Sequence, residues 1–414
     1  MRIGALAQKY QLPIDTIRYY INSGLLVPNS KNKQYDFNEK DLDDLTLIIK
    51  LKNLYFSIND IHHILSLKRI SNFEDLRDLK AFEQILTEHK NNLVQIHNNT
   101  QQIIDNLSKE ISNLSENYKS KGETPFICSG VPLLFLPYLY CPSCHKPLSL
   151  KNATIENQQI FQGLLDCACG YQAKIENGIL STDKGHLAKG DVPDIERKYY
   201  KSMSSCCMTL FKKSYNWIFN QLIQENLQQK IIMENSINSF FFLLTHLECL
   251  NKDALYIVAD NHPDIVVMYK KIIDNMNLHL NILYLSAGTL QYPLKENCVD
   301  FFIDYYATND YATFYPGSLT DLLHPYFKQN YHYIGAYFFF NDKSPSRQLL
   351  LEKYPLGDKH NFQKSAFIKK LATENFATKE DAEIGAATDC GNAFSFHLNH
   401  EPIYLYCFHC RKNS

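Results

Sequence analysis

The chain has 414 residues, of which 45% are apolar and 13% aromatic, and a formal net charge of −2 at pH 7. This is enough material for two or three domains with hydrophobic cores. The longest apolar run, residues 131–140, is too short to span a bilayer, and no signal-like segment opens the chain, so we expect a soluble cytoplasmic protein without membrane contact. In that compartment we expect most of the 12 cysteines to be reduced thiols or metal ligands instead of disulfides.

The first residues predict two short helices joined by a tight turn. The break between them is Gln11-Leu12-Pro13, and Gly24 ends the second helix as a left-handed cap. The apolar stripes consist of Ile3, Leu6 and Ala7 in the first helix and of Ile14, Ile17 and Ile21 in the second.

The other face of the second helix carries side chains that reach phosphates and base edges when a helix lies in the major groove. The polar stretch after Pro28 is interpreted as a wing. The first 70 residues hold ten lysines and arginines against seven acidic residues, so this part is basic while the whole chain is not. The residues expected to contact DNA are Arg2, Thr16, Arg18, Tyr19, Tyr20, Lys31, Lys33 and Tyr35.

The run TIRYYINSGLL (residues 16–26), followed by Tyr35 and Phe37, resembles the winged helix-turn-helix of MerR-family transcription regulators. The resemblance covers roughly the first 70 residues. It implies a bacterial homodimer that binds double-stranded promoter DNA and distorts it, so that RNA polymerase is affected indirectly. Asp36 and Asn29-Ser30 stand where the wings of the family usually carry arginine, which predicts a shallower salt dependence of binding.

A long helix follows. Asn38 and Ser57 are plausible N-caps of helices at 39–54 and 58–67. A heptad seam with a further step to Ile111 then predicts a dimerisation coiled coil, on the order of 50 Å long. The alternative is a helix packed inside one monomer. The seam residues are Leu86, His89, Leu93, Ile96, Thr100, Ile103 and Leu107.

Two close cysteine pairs indicate a metal site. Cys141 and Cys144 form the first pair, Cys167 and Cys169 the second, and two such turns satisfy tetrahedral zinc. Four protein ligands leave no open position, so we expect a structural zinc ribbon; two unrelated buried pairs are the alternative. The third pair, Cys407 and Cys410, is expected in a buried terminal strand.

Beyond a polar stretch at 181–198, strands and helices alternate in the βαβ rhythm of a doubly wound α/β sheet. Strands are predicted at 230–234, 254–259, 280–285, 299–305 and 333–340, and helices at 239–247, 265–276 and 322–327. The predicted domains are the DNA-binding domain at 1–72, the coiled-coil helix at 73–120, the zinc ribbon at 121–182, a linker with a lead-in helix at 183–224, and the α/β domain at 225–414.

Residues 225–410 resemble class I methyltransferases that use S-adenosylmethionine, and a zinc segment before such a domain is similar to the arrangement in ribosomal RNA guanine methyltransferases. Glu234 and Asp260 end the first two strands, as acidic residues do in that family. The glycines of its cofactor motif are replaced by Ser236, Asn238 and Phe240. The fourth strand is followed by Asp304-Tyr-Tyr-Ala307 instead of the catalytic tetrapeptide of amino-group methyltransferases.

We therefore expect an α/β domain that binds S-adenosylmethionine weakly or not at all and transfers no methyl group. The crevice at Glu234, Ser236, Asn238, Phe240 and Asp260 is predicted to bind a small organic effector, since residues 1–125 contain no cysteine for thiol-based sensing. Two alternatives stay open. One is an active S-adenosylmethionine-dependent nucleic-acid methyltransferase, and the other is a structural or partner-binding platform.

Overall fold

The computed structural model describes residues 1–31, 34–123, 128–182 and 187–413. The chain divides into two compact units, Met1–Thr124 and Pro125–Ser414. Across these described ranges, no helix has the length and apolar character needed to cross a membrane. Unit 1 consists of α1 (Ile3–Tyr10), α2 (Ile14–Asn22), β1 (Asn29–Lys31), β2 (Gln34–Asp36), α3 (Glu39–Asn53), α4 (Ile58–Ser71) and α5 (Leu76–Glu123).

Local signals in unit 1 act as the sequence predicts. Asn38 and Ser57 each accept a hydrogen bond from the backbone three residues on, and Asp41 and Asp60 return the bond, so both helices begin with a capping box. Gly24 follows α2 with a φ of +74°, where a Cβ would lie 3.3 Å from the ring of His62. The turn therefore requires glycine for both conformation and space.

Unit 2 is built on one long mixed sheet. Its strands are β3 (Val131–Pro132), β4 (Ser149–Glu156), β5 (Gln159–Asp166), β6 (Gln172–Glu176), β7 (Ile179–Ser181), β8 (Ile231–Asn235), β9 (Leu255–Asp260), β10 (Asn281–Ser286), β11 (Val299–Tyr305), β12 (Phe327–Phe339), β13 (Phe376–Ala387) and β14 (Ile403–Lys412). Its helices are α6 (Lys198–Ser202), α7 (Ser205–Ile223), α8 (Pro263–Asn275), α9 (Ala307–Phe314), α10 (Leu319–Leu323), α11 (Pro345–Lys353) and α12 (Lys364–Thr373), with 3-10 turns at Leu133–Tyr138, Leu243–Cys249 and His324–Tyr326.

The centre of this sheet confirms the doubly wound α/β architecture. The strands lie in the order β10-β9-β8-β11-β12, and all of these pairs are parallel. The strand order reverses at β8, because β9 and β10 are added on one side of it and β11 and β12 on the other. Such a reversal opens a crevice at the carboxyl ends of the strands. β14 adds antiparallel to β12, and β13 antiparallel to β14. The predicted buried terminal strand is confirmed, since Cys407 and Cys410 are fully buried in β14.

The ribbon strands continue the same sheet. β7 pairs in parallel with β10, with Ile179 opposite Tyr284 and Ser181 opposite Ser286. β6, β5 and β3 then extend the sheet outward, and β4 pairs with β5. The ribbon therefore shares one sheet with the α/β part instead of standing apart from it.

Two predicted elements need correction. The helix expected at 239–247 is a loop followed by the 3-10 turn Leu243–Cys249, because the consecutive Phe240, Phe241 and Phe242 are all buried and cannot share one helical stripe. The helix expected at 322–327 ends at Leu323 in α10 and gives way to a 3-10 turn containing Pro325. Helix α9 was not predicted.

Candidate functional site

The recognition helix α2 presents some of its predicted DNA contacts and buries one. The side chain of Arg18 is 62% exposed and makes an exposed ion pair with Asp15 at 3.3 Å. Tyr19 is half exposed and Thr16 is partly buried. Tyr20 is a correction: it is only 7% exposed because it lies three residues after Ile17 on the core-facing side of the helix.

The wing is a short antiparallel hairpin. β1 and β2 pair with Ser30 opposite Tyr35, and the ring of Tyr35 is partly exposed. The carboxylate of Asp36, which replaces the usual arginine, binds the amino group of Met1 at 2.9 Å. Arg2 is exposed at the N-cap of α1, Lys31 ends β1, and Lys33 lies outside the described residues.

Helix α5 carries an apolar stripe that has no partner among the described residues. Its 48 residues correspond to about 72 Å of helix. The exposed stripe residues, 42–63% accessible, are Leu93, Ile96, Ile103, Leu107, Ile111 and Leu114. A continuous apolar surface of this kind marks an interaction site.

The first two residues of the predicted dimer seam, Leu86 and His89, instead contact other parts of unit 1. His89 stacks on Phe56 with ring centroids 3.9 Å apart, and its Nε2 lies 2.8 Å from the carbonyl oxygen of Leu54. Leu86 packs against the core of unit 1. The seam available to a partner therefore begins at Leu93, a correction that heptad spacing alone could not give.

The four predicted zinc ligands converge. Cys141 Sγ lies 3.4 Å from Cys169 Sγ, Cys144 Sγ lies 3.3 Å from Cys167 Sγ, and all four sulfurs lie within 4.8 Å of one another. Tetrahedral zinc with Zn–S bonds of 2.3 Å separates its sulfurs by about 3.8 Å. The residues therefore fit the metal.

The backbone around Cys141 favours the ligating thiolate. Burial opposes ionisation of this thiol, but the backbone amides of Cys144 and Ser143 point at its sulfur, and its pKa falls to about 7. The amide of Ser143 lies 3.4 Å from the sulfur. A lowered thiol pKa eases the deprotonation that metal binding requires.

A cavity of about 570 Å³ lies at the carboxyl ends of β8, β9 and β10. Its lining includes Asn235, Ser236, Asp260, Asn261, Tyr311 and Tyr315. A second cavity of about 460 Å³ also contacts Ser236, and ten of its 25 lining residues are aromatic, including Phe240 and Tyr306. Of the residues predicted to form the crevice, Ser236, Phe240 and Asp260 line these cavities, whereas Glu234 lines neither.

Its two acidic residues are already bound within the protein. Glu234 accepts hydrogen bonds from the backbone amides of Phe242 and Leu243, at 2.6 and 2.9 Å. Asp260 accepts one from the amide of Asn238 at 2.9 Å and one from the amide of His262 at 2.8 Å. Each oxygen of the two carboxylates thus accepts one backbone amide, so both side chains shape the loops, while Asp260 also lines the cavity.

The replaced glycines have different structural outcomes. Ser236 keeps the tight turn in the left-handed conformation, with a φ of +57°, although it carries a side chain. Asn238 lines neither cavity; its side chain binds the backbone of Asp194 at 2.8 Å and of Val192 at 2.9 Å. Phe240 is buried, with its ring 4.6 Å from that of Phe211. The loop thus holds the segment at 192–194 against the strand ends.

Sequence reasoning missed Asp191, which anchors that segment. Its carboxylate accepts hydrogen bonds from the hydroxyl of Tyr315 at 2.7 Å and from the side-chain amide of Asn261 at 3.1 Å. The imidazole Nε2 of His262 lies 3.3 Å from its other oxygen. No local pattern joins Asp191 to partners more than 69 residues away, so the sequence held no signal for this cluster.

Comparison with known proteins agrees with the geometry of unit 1. The model of the MerR HTH family of regulatory proteins matches residues 1–68. The HTH-type transcriptional regulator ZntR homolog of Haemophilus influenzae is 32% identical over 102 residues, covering 23% of this chain and 71% of that protein. The chain belongs to the MerR family. The matched part of this MerR protein includes the recognition helix and the wing.

Solved structures similar to this MerR protein include methyltransferases. An S-adenosylmethionine-dependent methyltransferase from Aquifex aeolicus covers 53% of this chain and 99% of its own, at 13% identity and a TM-score of 0.34. The geranyl diphosphate C-methyltransferase of Streptomyces coelicolor covers 56% and 88%, at 8% identity and a TM-score of 0.36. Nothing about activity follows from a likeness this distant.

Proposed function

We propose that the protein is a homodimeric, cytoplasmic MerR-type regulator that binds double-stranded promoter DNA and acts on RNA polymerase through DNA distortion. The observation that carries the proposal is the combination, in unit 1, of an exposed recognition helix with a long helix whose apolar stripe no other described residue covers. A two-fold dimer presents two recognition helices to two half-sites, which a monomer cannot do. Zinc in the ribbon is proposed as structural.

Arg18→Ala is expected to weaken operator binding by about 1–3 kcal/mol, because an exposed recognition-helix arginine contacts base edges or phosphates in the groove. Its ion pair among the described residues is the exposed one with Asp15, so the substitution costs little folding stability. Gel-shift titration at fixed salt measures the effect. Lys90→Ala, a basic position on α5, is the matched control and should bind like the wild type; equal affinities for both variants would remove Arg18 from the interface.

Unit 2 is proposed to be a non-catalytic effector module. The loop after β8 supports this, because Asn238 and Phe240 stand where the methyltransferase family has glycines, and the ring of Phe240 is buried 4.6 Å from that of Phe211. The cavities of about 570 and 460 Å³ combine aromatic side chains with a few amide and hydroxyl groups, including those of Asn235, Asn261 and Tyr315. Such a lining suits an organic molecule with an apolar ring system.

Calorimetry with S-adenosylmethionine and with its demethylated product is expected to show no binding at micromolar concentrations. A separate assay of methyl incorporation into nucleic acid is expected to show none. Micromolar binding, about −8 kcal/mol, would contradict the proposal, and loss of that binding in Asp260→Asn would place the cofactor in the crevice. Methyl incorporation would favour the enzyme alternative. Crystals soaked with small aromatic compounds test the effector module itself, since two cavities that accept none would favour a structural or partner-binding platform.

A further inference from the structure

A second group of side chains that could bind a metal lies at the opposite end of the strands from the crevice. Glu225 comes shortly after α7, His332 lies on β12, and His409 lies on β14. His332 Nδ1 is 2.9 Å from His409 Nε2, and Glu225 Oε1 is 4.0 and 3.8 Å from these nitrogens. The three donor atoms lie within 4.8 Å of one another although they come from three separate elements.

The hydrogen-bond network fixes which nitrogen of His409 carries the proton. Gln221 donates through Nε2 to Glu380 at 3.0 Å, so the other end of its amide, Oε1, faces His409 Nδ1 at 3.1 Å. Because Oε1 can only accept, Nδ1 of His409 must donate, and the lone pair of Nε2 points into the group. An imidazole whose second nitrogen donates to a fixed acceptor is the usual arrangement of a metal-ligating histidine.

His409 is fully buried, and its ring and that of His332 lie beside the carboxylate of Glu225. Two imidazoles and a carboxylate offer the nitrogen and oxygen donors that borderline divalent ions prefer.

We propose that Glu225, His332 and His409 form a second metal site, which binds Zn²⁺ or a similar divalent transition-metal ion independently of the ribbon. Bonds of 2.0–2.1 Å in tetrahedral geometry separate ligand atoms by about 3.3 Å, so the donors need to move by less than about 1 Å. Three protein ligands leave one position open. It faces a cavity of about 750 Å³ whose lining includes Lys230, Lys328 and Arg411, so water or an anionic oxygen completes the coordination.

The positive charge of Lys379 weakens metal binding at this site, so its removal provides the sharpest test. Its ammonium forms an ion pair with Glu225, and the side chain is 48% exposed on the edge strand β13. The ion must displace this ammonium toward solvent and then bind beside it. Removing the charge therefore strengthens metal binding, whereas in a purely structural ion-pair cluster it would only weaken the fold.

The experiment titrates the full chain, with zinc already in the ribbon, with Co²⁺ and with Zn²⁺. We expect a second equivalent whose cobalt spectrum lacks a thiolate-to-metal charge-transfer band, and a melting temperature that rises with free metal. Lys379→Met should tighten this binding about tenfold or more, since it removes a unit charge close to the ion. Lys328→Met, in the same cavity but paired with Asp300, is the matched control with a smaller effect.

His332→Gln should lose the second equivalent while keeping the ribbon zinc, which also reports that the variant is folded. A single equivalent in both the wild type and Lys379→Met, with no metal-dependent change in melting temperature, would overturn the proposal. So would a second equivalent that persists unchanged in His332→Gln, because the ion would then be held elsewhere.

Discussion

Leu107→Glu is expected to convert the dimer into a monomer and to abolish operator binding at nanomolar protein. Leu107 is 59% exposed in the middle of the α5 stripe, with Ile103 and Ile111 one turn to either side. In a paired helix the substitution places two like charges in an apolar seam, and an unpaired buried charge costs about 3–5 kcal/mol. A monomer then binds one half-site and loses the gain from simultaneous contact with both.

Sedimentation velocity and gel shifts on the same preparations measure this effect. Asn106→Glu adds the same charge one residue away, outside the stripe, and should remain dimeric and bind DNA. Circular dichroism should show both variants folded, because the Leu107 side chain is exposed in the isolated chain. A Leu107→Glu protein that stays dimeric would mean that the subunits associate through another surface.

The features that the sequence predicted well are those encoded by neighbouring residues. Strand β11 occupies the predicted range, Val299–Tyr305, because a continuous apolar run suits a strand buried on both faces. The capping boxes at Asn38 and Ser57 are complete within four residues each. The cysteine pairs carry their own turns, so only the meeting of the two pairs had to be inferred.

The features that the sequence could not predict depend on contacts between residues that are distant in the chain. Helical periodicity places His89 in the dimer seam, but Phe56 provides a stacking partner inside unit 1. Asp260 ends a strand as a ligand-binding carboxylate would, but the sequence does not show that its oxygens also accept the backbone amides of Asn238 and His262. Likewise, nothing in Ile179–Ser181 identifies β10 as the strand beside it.

Cys144→Ser is expected to abolish zinc binding in the ribbon and to lower the melting temperature of unit 2 by several degrees. Structural zinc sites bind with apparent free energies of about 10–16 kcal/mol at pH 7, and this energy contributes to folding. Without the ion, the turns at Cys141 and Cys167 lose the bond that joins them, and β5 and β6 lose a fixed end. The effect reaches the α/β part because β7 is hydrogen-bonded to β10.

Metal analysis after purification without added zinc gives the stoichiometry, and cobalt substitution identifies the thiolate site by its charge-transfer band. Cys249→Ser is the matched control, because this exposed thiol lies in the 3-10 turn Leu243–Cys249, outside the cysteine cluster, and the variant should keep its zinc. The sheet arrangement further predicts that Cys144→Ser increases amide exchange in β7 before it does so in β8, since β7 lies between the ribbon and the parallel strands. Full zinc content and an unchanged thiolate band in Cys144→Ser would show that the four cysteines are not the ligands, and the ribbon would then depend on its apolar contacts alone.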